Sequence, residues 1–186
     1  MKLQKTNFNS AVLKVVLTGP ESTGKTTLTE KLAAHYQTVC VPEYARAYIE
    51  GLNRPYEVHD IVAIAKGQLA AEDFFLPKAN KILICDTALL VPKIWSEVAY
   101  GYCPEWIEHQ LMERQYDLYL LMCPDIEWQP DPQREHPHLR AELFEMYQSA
   151  LQKLDTPYVI IEGNYQSRLE AAMQVINKMM NIVSST

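Results

Sequence analysis

The stretch VLKVVLTGPESTGKTTL, residues 12–28, decides the architecture. Its first part, Val12–Thr18, is β-branched and Leu-rich with little alternation, which reads as a strand buried on both faces. Its second part, Gly19-Pro20-Glu21-Ser22-Thr23-Gly24-Lys25-Thr26, fits G-x-x-x-x-G-K-[ST]. Glycines at both ends let the chain turn so that successive backbone N–H groups face one anion. Lys25 is placed to reach the outer phosphates of a nucleotide, and the Thr26 hydroxyl to ligate Mg²⁺. Leu28, Leu32 and His35/Tyr36 predict a helix opening at this loop, whose N-terminal dipole favours the same anion. A chance match would lack the strand and the helix. Gly19, Pro20, Glu21, Ser22, Thr23, Gly24, Lys25, Thr26 and Thr27 therefore read as a nucleoside-triphosphate site.

Working outward, four more apolar runs read as strands: Thr38–Val41, Lys81–Cys85, Leu118–Met122 and Tyr158–Ile161. Helical periodicity separates them. Ile61, Ile64, Ala65, Gln68, Leu69 and Glu72 mark one helix; Leu139, Leu143, Met146, Tyr147, Ala150, Leu151 and Leu154 mark another. Leu169, Ala172, Met173, Ile176 and Met180 mark the last. Strand–helix alternation of this kind predicts a three-layer α/β P-loop NTPase fold: a five-stranded parallel sheet with helices on both faces, in one domain over residues 1–186. A Pro-rich break, Cys123–His138, carries Pro124, Pro130, Pro132 and Pro137 and reads as a lid over about 124–138, favoured by Asp131, Arg134 and Glu135 within it, or as a floppy surface loop.

Composition narrows the class. The chain has 186 residues, 48% hydrophobic and 22% charged, with net charge −6, which is ordinary for a soluble domain. An acidic balance argues against a nucleic-acid partner, whose phosphates need clustered Lys and Arg. The four cysteines, Cys40, Cys85, Cys103 and Cys123, are far apart with no C-x-x-C, which fits reduced thiols and a cytoplasmic protein. Met1–Ser10 is polar and too short for a signal peptide, and no apolar run approaches the ~20 residues of a membrane span.

In a doubly wound sheet the ligand lies beyond the carboxyl ends of the strands. Glu43 and Arg46 follow the second strand, and Asp86 follows the third. Glu43 reads as the base that accepts a substrate hydroxyl proton, or as a carboxylate at a helix start. Arg46 either holds substrate or pairs with Glu43. Asp86 reads as the Mg²⁺-side carboxylate beside Thr26, or as a helix N-cap. In the lid, Arg134, with Arg140 just beyond, reads as a cation brought to the transferred phosphoryl group, or as a surface arginine matched to Asp131, Glu135 and Glu142. His136 and His138 read as solvated. Gln68 and Glu72 either face the cleft or form a solvated stripe; Trp95, Tyr100 and Trp106 offer a ring for stacking on a base or for core packing, Trp95 foremost. Neither Asn80-Lys81 nor Asn177-Lys178 is followed by Asp as an N-K-x-D guanine motif requires, so a GTP switch does not fit. A small-molecule phosphotransferase does.

The runs LTGPESTGKTTL (17–28), VPEYAR (41–46), the Gln68 helix and ICDT (84–87) resemble the kinase domain of NadR-type ribosylnicotinamide kinases, a small AAA-like ATP-binding P-loop family. WSEVAYG (95–101), the segment from Tyr116 to Phe144 with its Asp131-x-x-Arg134 lid, and IIEGNYQSRLEAA (160–172) are similar too. That resemblance implies ATP- and Mg²⁺-dependent phosphorylation of the 5′-hydroxyl of nicotinamide riboside, in NAD salvage. Lys25, Thr26, Glu43, Asp86, Arg134 and Arg140 would carry the ATP, metal, acceptor and lid roles. Asp86-Thr87-Ala88 departs from the D-T-D pattern of the family. The DNA-binding and adenylyltransferase modules of the full-length regulator have no counterpart, so the expectation is a stand-alone kinase domain with a small-molecule nucleoside substrate. Its assembly, monomer or homo-oligomer, is left open. The rival expectations are a kinase of another nucleoside or nucleotide, and a nucleotide-gated binding protein with slow ATPase activity.

Overall fold

The structure, a computed structural model, describes residues 12–183, so Met1–Ser10 lies outside the described residues. Its strands are β1 (Leu13–Thr18), β2 (Cys40–Val41), β3 (Ile82–Asp86), β4 (Leu118–Met122) and β5 (Tyr158–Ile161). The helices are α1 (Lys25–His35), α2 (Tyr44–Glu50), α3 (Val58–Phe75), α4 (Leu90–Tyr100), α5 (Glu105–Glu113), α6 (Arg140–Lys153) and α7 (Tyr165–Val183). All strand pairs are parallel, in the order β2-β3-β1-β4-β5. Among the described residues no helix is long and apolar enough to cross a membrane.

Side chains alternate across the central strand and build two cores. Leu13, Val15 and Leu17 of β1 point to one face, where Leu28 and Leu32 of α1 and Ala172, Ile176 and Met179 of α7 cover them. Val16 points to the other, with Leu83 and Cys85 of β3 and Tyr119 and Leu121 of β4. There Ile61, Ala65 and Leu69 of α3, Ile94 of α4, Ile107 of α5, and Leu143 and Tyr147 of α6 close over them. Burial on both faces explains why these strands lack an alternating pattern. The three-layer arrangement agrees with the sequence expectation.

Boundaries moved for local reasons. The expected strand Thr38–Val41 shrinks to Cys40–Val41 because the Thr38 side chain takes over part of the ladder: its Oγ1 donates to Ile82 O at 2.7 Å and accepts from Asn80 N at 2.9 Å. β3 starts one residue late, since Lys81 adopts φ +63°. It also runs on through Asp86, and Thr87 then turns with φ +70°, an unusual conformation for a β-branched residue.

β1 lies between β3 and β4: the chain first builds β2 and β3 on one side of it, then crosses over to β4 and β5 on the other, so the order reverses at β1. The crevice at its carboxyl end is therefore where the site is expected.

Candidate active site

The loop after β1 is shaped by close approach and by left-handed backbone. A Cβ on Gly19, at φ +128°, would lie 2.9 Å from the Met122 carbonyl oxygen, so the first loop glycine lets the turn press against the end of β4. Ser22 and Gly24 are also left-handed, at φ +54° and +76°. Thr23 Oγ1 donates to Pro20 O at 2.9 Å and braces the turn. Lys25 folds back over the loop, its Nζ donating to Gly19 O at 3.0 Å and Pro20 O at 2.7 Å. Burial pulls the Lys25 ammonium below its ordinary pKa, with Glu43, Asp86 and Glu21 opposing that shift.

Thr26, in the first turn of α1, donates its hydroxyl hydrogen to Asp86 Oδ2 at 2.5 Å. Asp86 is buried, and its Oδ1 has no hydrogen-bond partner among the described residues. Burial pushes its carboxyl up to about 6, although the Thr26 hydrogen bond favours the anion. A buried oxygen with nothing to bond, next to a hydroxyl, fits a small hard cation that takes its remaining ligands from phosphate and water.

A cavity of about 300 Å³ is lined by this loop together with aromatic and aliphatic side chains. Glu43, directly before α2, lines its wall, as do Ala45, Arg46 and Ile49. Val91, Ile94, Trp95 and Val98 of α4 line it too, with Leu143 and Tyr147 of α6. Tyr56 meets Trp95 edge-on, ring centroids 4.7 Å apart at 67°. The segment before α3 that carries Tyr56 is fastened by Arg54, whose Nη1 and Nη2 donate to Asp60 Oδ2 at 2.6 Å and Oδ1 at 2.9 Å. That pairing, with the Glu57 N–H and the Tyr48 hydroxyl, holds the Asp60 carboxyl well below the usual carboxylate range.

Residues 124–138 lie across the loop. Glu21 Oε2 accepts the backbone N–H groups of Glu135 at 3.1 Å and His136 at 3.3 Å, and Ser22 Oγ accepts that of Gln129 at 2.8 Å. Three further contacts tie the same segment to the cavity wall. Arg46 pairs with Asp131 at 3.2 Å, Gln133 Nε2 donates to Arg46 O at 3.2 Å, and the Tyr56 hydroxyl donates to Glu135 at 3.0 Å.

Residues 14–168 match a family model described as an AAA domain. The chain belongs to that family. Relatives of this AAA domain include the trifunctional NAD biosynthesis/regulator protein NadR of Escherichia coli, 27% identical over 176 residues. The NadR of Salmonella typhimurium is 26% identical over 180 residues. Each alignment takes in 91% of this chain but 43% of the relative, so the AAA domain spans less than half the length of these curated proteins. Among solved structures, NadR in complex with NR superposes with a TM-score of 0.74 at 23% identity, over 90% of this chain and 50% of that one. NadR with NAD and AMP-PNP gives 0.76 at 24% identity, over 91% and 50%. A deoxyadenosine kinase from M. mycoides with bound dCTP gives 0.58 at 14% identity, over 89% and all of that chain. These likenesses establish the fold.

Within the AAA domain, the nine loop residues, Glu43, Arg46, Trp95 and Arg134 come together around one cavity. Arg134 Nη1 donates to Gln129 O, a bond inside the lid. Arg46 pairs with Asp131 rather than Glu43. Arg140 is not on the cavity wall: it bonds Ile126 O and Ser22 O, both at 3.0 Å, behind the loop. Gln68 is likewise withdrawn, its Oε1 accepting Tyr44 N at 2.9 Å and its Nε2 donating to Thr87 O at 3.4 Å. That places it under Glu43 and beside the turn after Asp86. Glu72 is neither on the cleft nor solvated; it is buried against the Tyr116 hydroxyl and Arg114. His136 lines the cavity, while His138 is exposed. Ala88 is packed in the apolar core rather than along the cavity. Sequence reasoning missed Tyr56, Tyr147 and Arg168; only the Arg54-Pro55-Tyr56 approach to a helix and a lone basic residue after Asn164 mark the first and last.

Proposed function

We propose that this AAA domain is an ATP-dependent small-molecule kinase that phosphorylates the 5′-hydroxyl of nicotinamide riboside. The observation that carries this reading is a single cavity lined by the phosphate-binding loop, by Glu43 and by the Tyr56–Trp95 pair. The loop suits a triphosphate, and the aromatic pair suits a flat ring. The NadR relatives, with solved complexes of NR and of NAD with AMP-PNP, favour nicotinamide riboside as the acceptor and ATP as the donor.

On this reading the donor phosphates lie on the N–H groups of Gly19–Thr26, with Lys25 leaving the Gly19 and Pro20 carbonyls to meet them. Thr26 and Asp86 would hold Mg²⁺, which offsets charge on the phosphate oxygens when bound. The acceptor hydroxyl oxygen attacks the γ-phosphorus as its proton passes to Glu43. The bond from that phosphorus to the β,γ-bridging oxygen breaks, and ADP leaves with the electron pair. Arg134 lines the same cavity and adds positive charge near the transferred group. A lid fastened through Glu21 and Arg46 excludes water, which otherwise competes as acceptor. We place the protein in the cytoplasm, without nucleic-acid or membrane partners.

The test is ADP release from Mg²⁺-ATP against nicotinamide riboside, common nucleosides and deoxynucleosides, and their monophosphates. Strong stimulation by nicotinamide riboside, with its mononucleotide as product, is expected. Stimulation by another nucleoside keeps the kinase and replaces the acceptor. Hydrolysis that no acceptor accelerates would sink the kinase reading and favour a nucleotide-gated binding protein.

A further inference from the structure

Two arginines from distant parts of the chain grip consecutive carbonyls of the phosphate-binding loop. Arg140, at the start of α6, donates from Nη2 to Ser22 O at 3.0 Å and from Nη1 to Ile126 O at 3.0 Å. Arg168, near the start of α7, donates from Nη1 to Thr23 O at 2.6 Å. Its other donors reach Gly163 O at 2.7 Å, Cys123 O at 2.8 Å and the Asp125 carboxylate. Arg168 is 1% exposed, the largest of the fully buried side chains. Asp125 also accepts Gly163 N at 2.6 Å, so this one guanidinium joins the loop after β1, the chain leaving β4 and the turn before α7.

The direction of these bonds has a consequence for the opposite side of the loop. In a trans peptide the C=O and the following N–H point opposite ways, and the described chain holds no cis bond. Pulling the Ser22 and Thr23 oxygens outward turns the N–H groups of Thr23 and Gly24 inward. The left-handed turns at Ser22 and Gly24 accommodate this. N–H dipoles aimed at one point repel one another until an anion arrives, so something must hold them. A planar guanidinium with five donors can serve several carbonyls at once, which an ammonium on a flexible stem cannot.

We infer that Arg140 and Arg168 are positioning residues for the donor phosphates, holding Ser22 and Thr23 in the anion-binding form before nucleotide arrives. Neither lines the cavity, so each acts through the loop backbone. The inference rests on the reading of Gly19–Thr26 as a triphosphate site.

The test measures binding of a fluorescent ATP analogue, and its displacement by tripolyphosphate, to wild-type, R140M, R168M and R168K proteins. Circular dichroism and melting temperature are recorded alongside. R168M and R140M are each expected to weaken both ligands by about tenfold, equivalent to one charged hydrogen bond. R168K recovers only part of the loss. Equal weakening toward tripolyphosphate is the decisive readout, because a nest of N–H groups reads phosphate and not the base. Lower melting temperatures with unchanged affinities would overturn the inference, as would a loss confined to the ATP analogue. Full recovery in R168K would assign the effect to charge and overturn it too. Should R168M not fold, R140M alone decides by the same criteria. A wild-type protein that binds neither ligand removes the triphosphate site itself, an outcome separate from unchanged variants of a binding wild type.

Discussion

Asp86→Asn is expected to stabilise the nucleotide-free protein while disabling it. Asp86 is 2% exposed, and burial lifts its carboxyl from the ordinary 3.8 to about 6. At pH 7 both states carry the anion, and holding it in the folded chain costs about 3 kcal/mol relative to the unfolded chain. The sign follows from the raised pKa: the stabilising contribution of the carboxyl is complete below 3.8 and disappears as pH rises through about 6. Asparagine carries no charge and keeps an oxygen for the Thr26 hydroxyl. Allowing for imperfect replacement of that bond, the variant should gain about 2 kcal/mol at pH 8, or roughly 5 °C in melting temperature for a domain of this size. The gain should shrink to about a third at pH 5, where the folded carboxyl is mostly protonated. Melting curves at pH 5, 6 and 8 without nucleotide measure this, and Mg²⁺-dependent turnover measures the functional loss. A variant less stable than wild type at pH 8, or a gain that is flat with pH, would refute the reasoning. A destabilising charge kept at the end of β3 is the trade expected of a working site.

Glu43→Gln should lower turnover by about a hundredfold or more while leaving the affinity for ATP within about twofold, read from initial rates and from binding of an ATP analogue. Glu21→Ala removes the acceptor for the Glu135 and His136 N–H groups, so acceptor-independent ATP hydrolysis should rise several-fold; an unchanged rate means that the lid does not depend on this carboxylate. At Gly67 a Cβ would sit 2.1 Å from Tyr44 Cε1, so Gly67→Ala must swing that ring away. In a Tyr44→Ala background the same change should instead stabilise α3 by about 1 kcal/mol, and a double-mutant cycle by urea melts will show whether the sign reverses.

Of the three helices that sequence periodicity missed, α2 and α4 escaped it for different reasons. α2 has no buried residue; it is held by Gln68 beneath Tyr44 N and by Asp60 on the Tyr48 hydroxyl, so it leaves no apolar stripe to read. In α4 the buried residues Leu90, Pro92, Ile94 and Ser96 fall at every second position, which imitates a strand, and Pro92 is tolerated because first-turn N–H groups have no helical partner. Both helices line the cavity, so the part of it away from the loop was the least legible in the sequence.

What the sequence determined by itself was local. The phosphate-binding loop, the strands buried on both faces and the Asp86 position all follow from residue type and spacing within one strand–turn–helix unit, where the backbone leaves few choices. Which side chains meet across the sheet was decided only in three dimensions. Arg46 met Asp131 instead of Glu43, and Gln68 turned from the cleft to a backbone N–H. Arg140 and Arg168 came behind a loop more than a hundred residues away in the chain. Such pairings depend on how the helices pack and where the lid comes to rest, and a single residue's identity carries no record of either.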